Sequence, residues 1–449
     1  MKPALLILLL TSATALPASA AERNTVAEQA QQAAAHLPRG CILTAEQTGD
    51  QAPLISVAGQ QEPAGVPPEK IIFEIGSISK VFTGLLLAQA VLAKKVKLDS
   101  TLRDLMGPKQ VFADDKVASI TLLQLATHSS GLPRLPDNLR DEADEADPYA
   151  HYDRARLDAY VASAKLAHAA PFPEEYSNLG VGLLGDLLAR LHGRSWEELV
   201  VERIARPLGL DDTRATLTAG QMKRLAPPYA GRERAHAWHQ QALAGAGALH
   251  STAADLLKFG HALRRPAASP LKAAIEMIEQ PREGSQFGLC LGLAPRDGHH
   301  IYWNQGGTGG YTSWISADPT TERVLVMLIN NNALLPEQVL SNKLPAAKSV
   351  PADPSLADYE GTYDTGVKAG RTAILYHFEA RGSDLWMQIT GQAAIKLQAH
   401  ASTKDRFEFK PVKAEIQFTR KKGKVVSTTL FQSGLEIQAK KLVTNGKTR

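Results

Sequence analysis

Ser77 and Lys80 stand three residues apart in the tetrad Ser77-Ile78-Ser79-Lys80, between an apolar stretch at 71–76 and an apolar-periodic stretch at 81–92. Residues at i and i+3 on a helix share a face, so the spacing brings the Lys80 amine within reach of the Ser77 hydroxyl. That is a nucleophile beside a candidate base. At a helix start the first N–H groups lack intrahelical partners and the dipole is positive, which favours an alkoxide or a developing oxyanion. Taken alone, the tetrad also describes a capping serine and a surface lysine. Two further segments carry matching chemistry. Tyr176-Ser177-Asn178 follows the turn-rich 170–175 and precedes the apolar run 179–184, as a loop entering a helix. A tyrosine there can act as a general base or acid if neighbouring cations depress its pKa, and an asparagine can orient a substrate amide. In Trp303-Asn304-Gln305-Gly306-Gly307-Thr308-Gly309-Gly310-Tyr311, four glycines surround Thr308. They let a substrate approach the backbone closely, and an exposed edge there can supply a second oxyanion donor.

These segments, in this order, resemble the serine β-lactamase and penicillin-binding-protein superfamily, most closely its class C β-lactamase, DD-peptidase and esterase branch. The resemblance covers about residues 25–345. It includes Thr127-His128-Ser129-Ser130-Gly131-Leu132-Pro133, similar to that branch's His-Thr-Ser-Gly-Leu-Pro segment, and Arg206-Pro207-Leu208-Gly209-Leu210, similar to its Pro-Leu-Gly-Met segment. By that resemblance Ser77 is the acylated nucleophile, Lys80 and Tyr176 share the proton transfer, and Asn178 holds the substrate's acylamino group. Asn304, Gly306, Gly307 and Thr308 line the substrate, with the N–H groups of Ser77 and Gly307 forming the oxyanion hole.

The third segment departs from the pattern. Where the family commonly has Lys-Thr-Gly or His-x-Gly, this chain has Asn304-Gln305-Gly306. In the family that cation binds the substrate carboxylate and lowers the tyrosine pKa, so its loss bears on carboxylated β-lactams. His250, or the pair His299 and His300, are candidate replacements.

The elements that must position these groups read as an α/β (α+β) fold. Strands around 41–43 and 71–73 are expected to join late strands around 301–303, 312–315 and 324–329 in one antiparallel sheet, with helices flanking it. The middle, about 82–263, reads as mostly helical. Such an insertion lets catalytic segments far apart in sequence meet in a cleft between layers. The expected domains are a signal peptide at 1–20, a hydrolase domain at 21–350 and a small C-terminal antiparallel β-domain at 351–449, the boundary falling at Pro351-Ala352-Asp353-Pro354. Beyond it the period becomes two: Leu385, Met387 and Ile389 alternate with other residues, as do Phe407 and Phe409, and Ile416 and Phe418. Gly382, Gly391, Gly423 and Gly434 mark turns between these runs. The segment 356–363 resembles the start of the lipocalin-like barrel appended to many proteins of this branch.

Met1-Lys2, the apolar 4–10 and Ala18-Ser19-Ala20 read as a signal peptide with an A-x-A cleavage site, which implies a periplasmic or secreted protein. No other stretch approaches the ~20 apolar residues of a membrane-spanning helix. With 50 basic and 46 acidic residues the balance is mild and dispersed, which argues against a nucleic-acid partner. The two cysteines, Cys41 and Cys290, make no disulfide framework, and buried thiols are the favoured reading. The acidic run 141–147 reads as a solvated loop. His236 and His239 have a spacing compatible with zinc, but arginines flank Glu233 and no cysteine is near, so no metal or other cofactor is expected. His128 reads as packed behind the site. Three functions fit these residues: an acyl-serine hydrolase of β-lactams or D-amino-acyl peptides, an esterase on small acyl esters using the same serine, and a penicillin-binding or sensor protein that stays acylated.

Overall fold

The computed structural model describes residues 25–342 and 356–442, apart from 142, 145, 370–371, 382–383, 391, 393, 401–402, 410–413 and 433–434. The signal-peptide segment, the expected boundary at 351–354 and the turn glycines Gly382, Gly391 and Gly434 lie outside the described residues. The chain divides into two compact units, the first ending at Leu340 and the second beginning at Ser341.

The first unit is built on ten strands: β1 Cys41–Thr48, β2 Leu54–Gly59, β3 Ile72–Glu74, β4 Tyr229–Ala230, β5 Glu233–Arg234, β6 His250–Thr252, β7 Gly292–Arg296, β8 His299–Gly307, β9 Thr312–Asp318 and β10 Arg323–Ile329. Six of them form one antiparallel sheet in the order β2-β1-β10-β9-β8-β7. The early strand β1 pairs with the late strand β10 through Ile42↔Ile329, closing the sheet across the helical middle of the chain. β10 reads Arg-Val-Leu-Val-Met-Leu-Ile and is buried over six of its seven residues, as expected of a central strand covered on both faces.

One expectation is corrected. The apolar run around 71–73 does not enter this sheet: β3 is only three residues long and pairs with β6 in a separate two-stranded sheet, Phe73 opposite Ser251 and Glu74 opposite His250. The chain turns at Gly76 immediately afterwards, so β3 serves as a short rail delivering Ser77 rather than as a sheet strand.

Between β3 and β7 the chain is mainly helical. Its central element, the Ser79–Leu92 helix, is apolar on nearly every side and buries 11 of its 14 residues, so it runs through the core rather than over it. The Asn178–His192 helix packs beside it, capped at its start by Ser177, whose Oγ accepts the Gly180 N–H at 2.9 Å. Left-handed Gly193 ends it. Cys41 and Cys290 are both buried free thiols.

The second unit is a closed eight-stranded antiparallel barrel, β11 Gly361–Ala369 to β18 Leu435–Lys441, each strand paired with its successor and β18 with β11. Its interior is filled by side chains: Phe418 contacts Tyr359, Tyr363, Phe378 and Phe407 with ring centroids 4.8–5.8 Å apart. Among the described residues no helix is long and apolar enough to cross a membrane.

Candidate active site

Ser77 sits in the single 3-10 turn Gly76–Ile78, which runs directly into the Ser79–Leu92 helix. The turn is pinned from two sides. The Ile75 N–H donates to Leu249 O at 2.9 Å, and the Leu249 N–H donates to Ser79 Oγ at 3.0 Å. Ser79, the inner serine of the tetrad, is therefore a buried anchor, while Ser77 is partly accessible.

Lys80 lies one turn on and is 1% exposed. All three ammonium hydrogens have acceptors: Ser77 Oγ at 2.9 Å, Asn178 Oδ1 at 2.8 Å and Ala246 O at 2.7 Å. The last depends on a close approach of two glycines. A Cβ on Gly185 would meet Gly245 Cα at 2.9 Å, and Thr83 Oγ1 donates to Gly245 O at 2.8 Å. This packing presses residues 244–247 onto the Ser79–Leu92 and Asn178–His192 helices and aims the Ala246 carbonyl at Lys80. No sequence pattern marks a backbone acceptor 166 positions away.

Tyr176 Oη donates to Ser77 Oγ at 2.7 Å, completing a Lys–Ser–Tyr cluster. The phenol ring is held by His128, stacked at a tilt with centroids 4.5 Å apart. His128 Nδ1 accepts the Ser177 N–H at 3.1 Å, and burial pushes this imidazole down to about 3, so it is a neutral packing partner. Burial lowers the pKa of the Lys80 amine below its usual range. Burial alone would raise that of Tyr176, but the Lys80 charge, the polar contact with Ser77 and the nearby Arg134 charge outweigh it, leaving the phenol below its usual range. Both groups therefore hold their protons less tightly than usual. A lowered pKa leaves each group more readily in the unprotonated form that can accept a proton from Ser77.

The third segment meets this cluster edge-on. Gly76 has φ +48°, and a Cβ on it would lie 2.7 Å from Gly307 N, while one on Gly306 would lie 2.0 Å from Ile75 O. Ser313 Oγ, across the strand from Gly306, donates to Ile75 O at 2.8 Å. The backbone of Gly307 is thus held against the turn that carries Ser77, and Gly307 itself is exposed. Thr308 is buried beside Glu74, whose carboxyl accepts the Trp238 N–H at 2.8 Å and is pushed by burial up to about 7. Asn304 is 7% exposed and spends its amide inward, Nδ2 donating to Cys290 O at 3.2 Å and Oδ1 accepting the Gln305 N–H at 2.8 Å.

Neither suggested replacement for a cation at 304 is available. Burial pushes His250 down to about 4, and it sits against Glu74, with Nε2 4.0 Å from Glu74 Oε1. His299 and His300 open β8, five and four residues from Asn304 and so about 13 Å or more away along an extended strand, and His299 Nε2 lies 3.3 Å from Asp318. The cation that does reach the cluster is Arg134, with its guanidinium carbon 5.0 Å from the centre of the Tyr176 ring. Its one sequence signal was its place directly after Pro133 of the 127–133 segment. His239 bonds Asp147 through both its N–H and Nδ1, and among the described residues no three His, Cys, Asp or Glu side chains are grouped to hold a metal.

A family model described as beta-lactamase matches residues 55–347. The D-alanyl-D-alanine-carboxypeptidase/endopeptidase AmpH of Escherichia coli K12 is 28% identical over 266 residues, 55% of this chain and 68% of that protein. A beta-lactamase of Pseudomonas fluorescens is 26% identical over 301 residues, 59% of this chain and 80% of that protein. Among solved structures, a class C beta lactamase from Rhodobacter sphaeroides superposes with a TM-score of 0.59 at 22% identity, over 71% of this chain and 97% of that one. A beta-lactamase/D-alanine carboxypeptidase from Yersinia pestis gives 0.57 at 23% identity, over 68% and 92%.

Proposed function

Because this chain belongs to the β-lactamase family, we propose that it is an exported serine hydrolase that works through an acyl-enzyme, opening β-lactam rings or cleaving D-amino-acyl peptides. The observation that carries this reading is the contact of Ser77 Oγ with both Lys80 Nζ, at 2.9 Å, and Tyr176 Oη, at 2.7 Å. A hydroxyl held at hydrogen-bond distance from two groups whose pKa values are both lowered is placed to lose its proton and act as a nucleophile. Export is supported by the Met1–Ala20 sequence pattern.

Tyr176 or Lys80 takes the Ser77 proton as Oγ attacks the substrate carbonyl. The negative charge on the carbonyl oxygen is met by the N–H groups of Ser77 and Gly307, one at a helix start and one on the adjacent strand. Asn178, tied through Oδ1 to Lys80, presents its NH2 group to the substrate's acyl-side amide. As the tetrahedral species collapses, the C–N bond breaks and the departing nitrogen receives the proton. Water then attacks the ester, Tyr176 takes its proton, and Ser77 leaves with a proton restored.

One observation favours a second reading, an esterase on small uncharged acyl esters: position 304 carries no cation, and its amide is engaged within the protein. An ester without a carboxylate needs no charge there. The two readings, and that of a protein that acylates but does not turn over, separate on one panel: a chromogenic cephalosporin, a D-alanyl-D-alanine peptide and a short-chain nitrophenyl ester, each with wild type and Ser77→Ala. Turnover of cephalosporin or peptide supports the first reading. Ester cleavage alone selects the second, and a lasting adduct without turnover selects the third. Full activity of Ser77→Ala on every substrate contradicts all three.

A further inference from the structure

We propose that Arg134 supplies the positive charge that the third segment lacks, acting as a positioning residue that lets Tyr176 ionise and take the Ser77 proton. This rests on the acyl-serine reading above and deepens it.

The argument begins with where Arg134 is held. Its carbonyl accepts the N–H groups of Asn178 and Leu179 at 3.0 and 3.1 Å, so its backbone closes the start of the helix that follows Tyr176. That anchorage fixes Arg134 to the tyrosine loop whatever its side chain does. The side chain then lies over the face of the phenol, 5.0 Å from the ring centre, while Lys80 Nζ lies 4.9 Å from the same centre. A cation over an aromatic face is attracted to the ring, and more strongly once the ring carries negative charge. Among the described residues Arg134 forms no ion pair, so no carboxylate cancels its field at Tyr176.

The other groups facing the cluster carry no competing charge near neutral pH. His128, against the ring, is pushed by burial down to about 3. Tyr149, from the loop that also faces Arg134, is pushed by burial up to about 12, as is the Cys290 thiol beside Lys80. Lys80 and Arg134 are the cations at the phenol. They differ in kind: Lys80 exchanges its own proton within the cluster, whereas a guanidinium stays charged throughout the working range. When Lys80 is neutral, Arg134 alone among these groups offsets a phenolate at Tyr176. The sign is the same at both members of the pair, since the Arg134 charge lowers Tyr176 and Lys80 alike. Removing it must therefore move the acid limb of the pH profile upward.

The test reads Tyr176 directly. The chain has 10 tyrosines. With ring-labelled tyrosine, the carbon resonance missing from Tyr176→Phe identifies Tyr176, and its titration is followed in wild type, Arg134→Gln and Arg134→Lys. Arg134→Gln keeps the backbone bonds to Asn178 and Leu179 and loses only the charge. A charge at this separation predicts a midpoint raised by about one pH unit, a tenfold change in the ionisation constant, with Arg134→Lys closer to wild type. The acid limb of Ser77 acylation by a fluorescent penicillin should rise in parallel. An unchanged Tyr176 midpoint in Arg134→Gln, or equal shifts in the glutamine and lysine variants, overturns the proposal. A shifted midpoint in a protein that never acylates would uphold Arg134's electrostatic effect on Tyr176 and sink the hydrolase reading instead.

Discussion

Replacing Lys80 with methionine is expected to lower the second-order rate of Ser77 acylation by about a thousandfold, while leaving the melting temperature within a few degrees of wild type. Both halves follow from the burial of Lys80. The amine is the one group that contacts Ser77 Oγ, the Asn178 amide and the Ala246 carbonyl together, so its removal takes away the proposed proton acceptor and the post that orients Asn178. Groups acting as a unit lose most of their effect when any member is removed, so the loss should approach that of a full general-base deletion. Stability behaves differently. A buried ammonium is costly to desolvate, and methionine fills similar volume in a helix whose other neighbours are apolar. The three acceptors left behind offset that relief, at about 1–3 kcal/mol for each one left unpaired. The checks are acylation kinetics with a fluorescent penicillin and calorimetry on the same preparation. A variant that unfolds, or one that acylates at the wild-type rate, would refute this assignment.

The second large effect is geometric. Gly306→Ala is expected to cut the acylation rate by about a hundredfold and to destabilise the fold by about 1–3 kcal/mol. The added methyl would lie 2.0 Å from Ile75 O and 2.5 Å from Ser313 Oγ, and these two atoms are bonded to each other. Neither can step aside without releasing the turn before Ser77. β8 must then withdraw, carrying the Gly307 N–H away from the carbonyl it is to stabilise. Gly220→Ala is the matched control, because nothing lies within 4 Å of the new Cβ. It should retain full rate and stability. Equal behaviour of the two variants would show that contact between β8 and the Ser77 turn is not what assembles the site.

Much of this site was legible before the fold. Ser77, Lys80, Tyr176 and Asn178 announce themselves because helix starts and loop-to-helix junctions leave local marks: apolar periodicity on one side, turn residues on the other. The barrel was legible for a similar reason, since alternation along Leu385, Met387 and Ile389 reports a one-sided strand regardless of its partner. Partner choice is another matter. The run at 71–73 has the composition of a sheet strand, yet it pairs with 250–252, because the register of a three-residue strand is set by what surrounds it. Arg134 escaped for a related reason. Its role depends on where its guanidinium lies relative to a ring 42 residues away, and a lone arginine after a proline has no period or spacing to betray that. The Ala246 carbonyl is harder still, as its residue type carries no information about a backbone oxygen. Asn304 reads in the sequence as a position without a cation, and only the fold reveals that its amide is turned to Cys290 and Gln305.

The central claim is that Ser77 is the atom acylated. Protein mixed with excess β-lactam, quenched in acid within the first turnover and digested with trypsin, is expected to carry one adduct of the full β-lactam mass on the peptide spanning residues 71–80. Fragmentation should place it on Ser77 rather than Ser79, and Ser77→Ala should carry none. An adduct on any other residue, or one that persists in Ser77→Ala, would contradict the account.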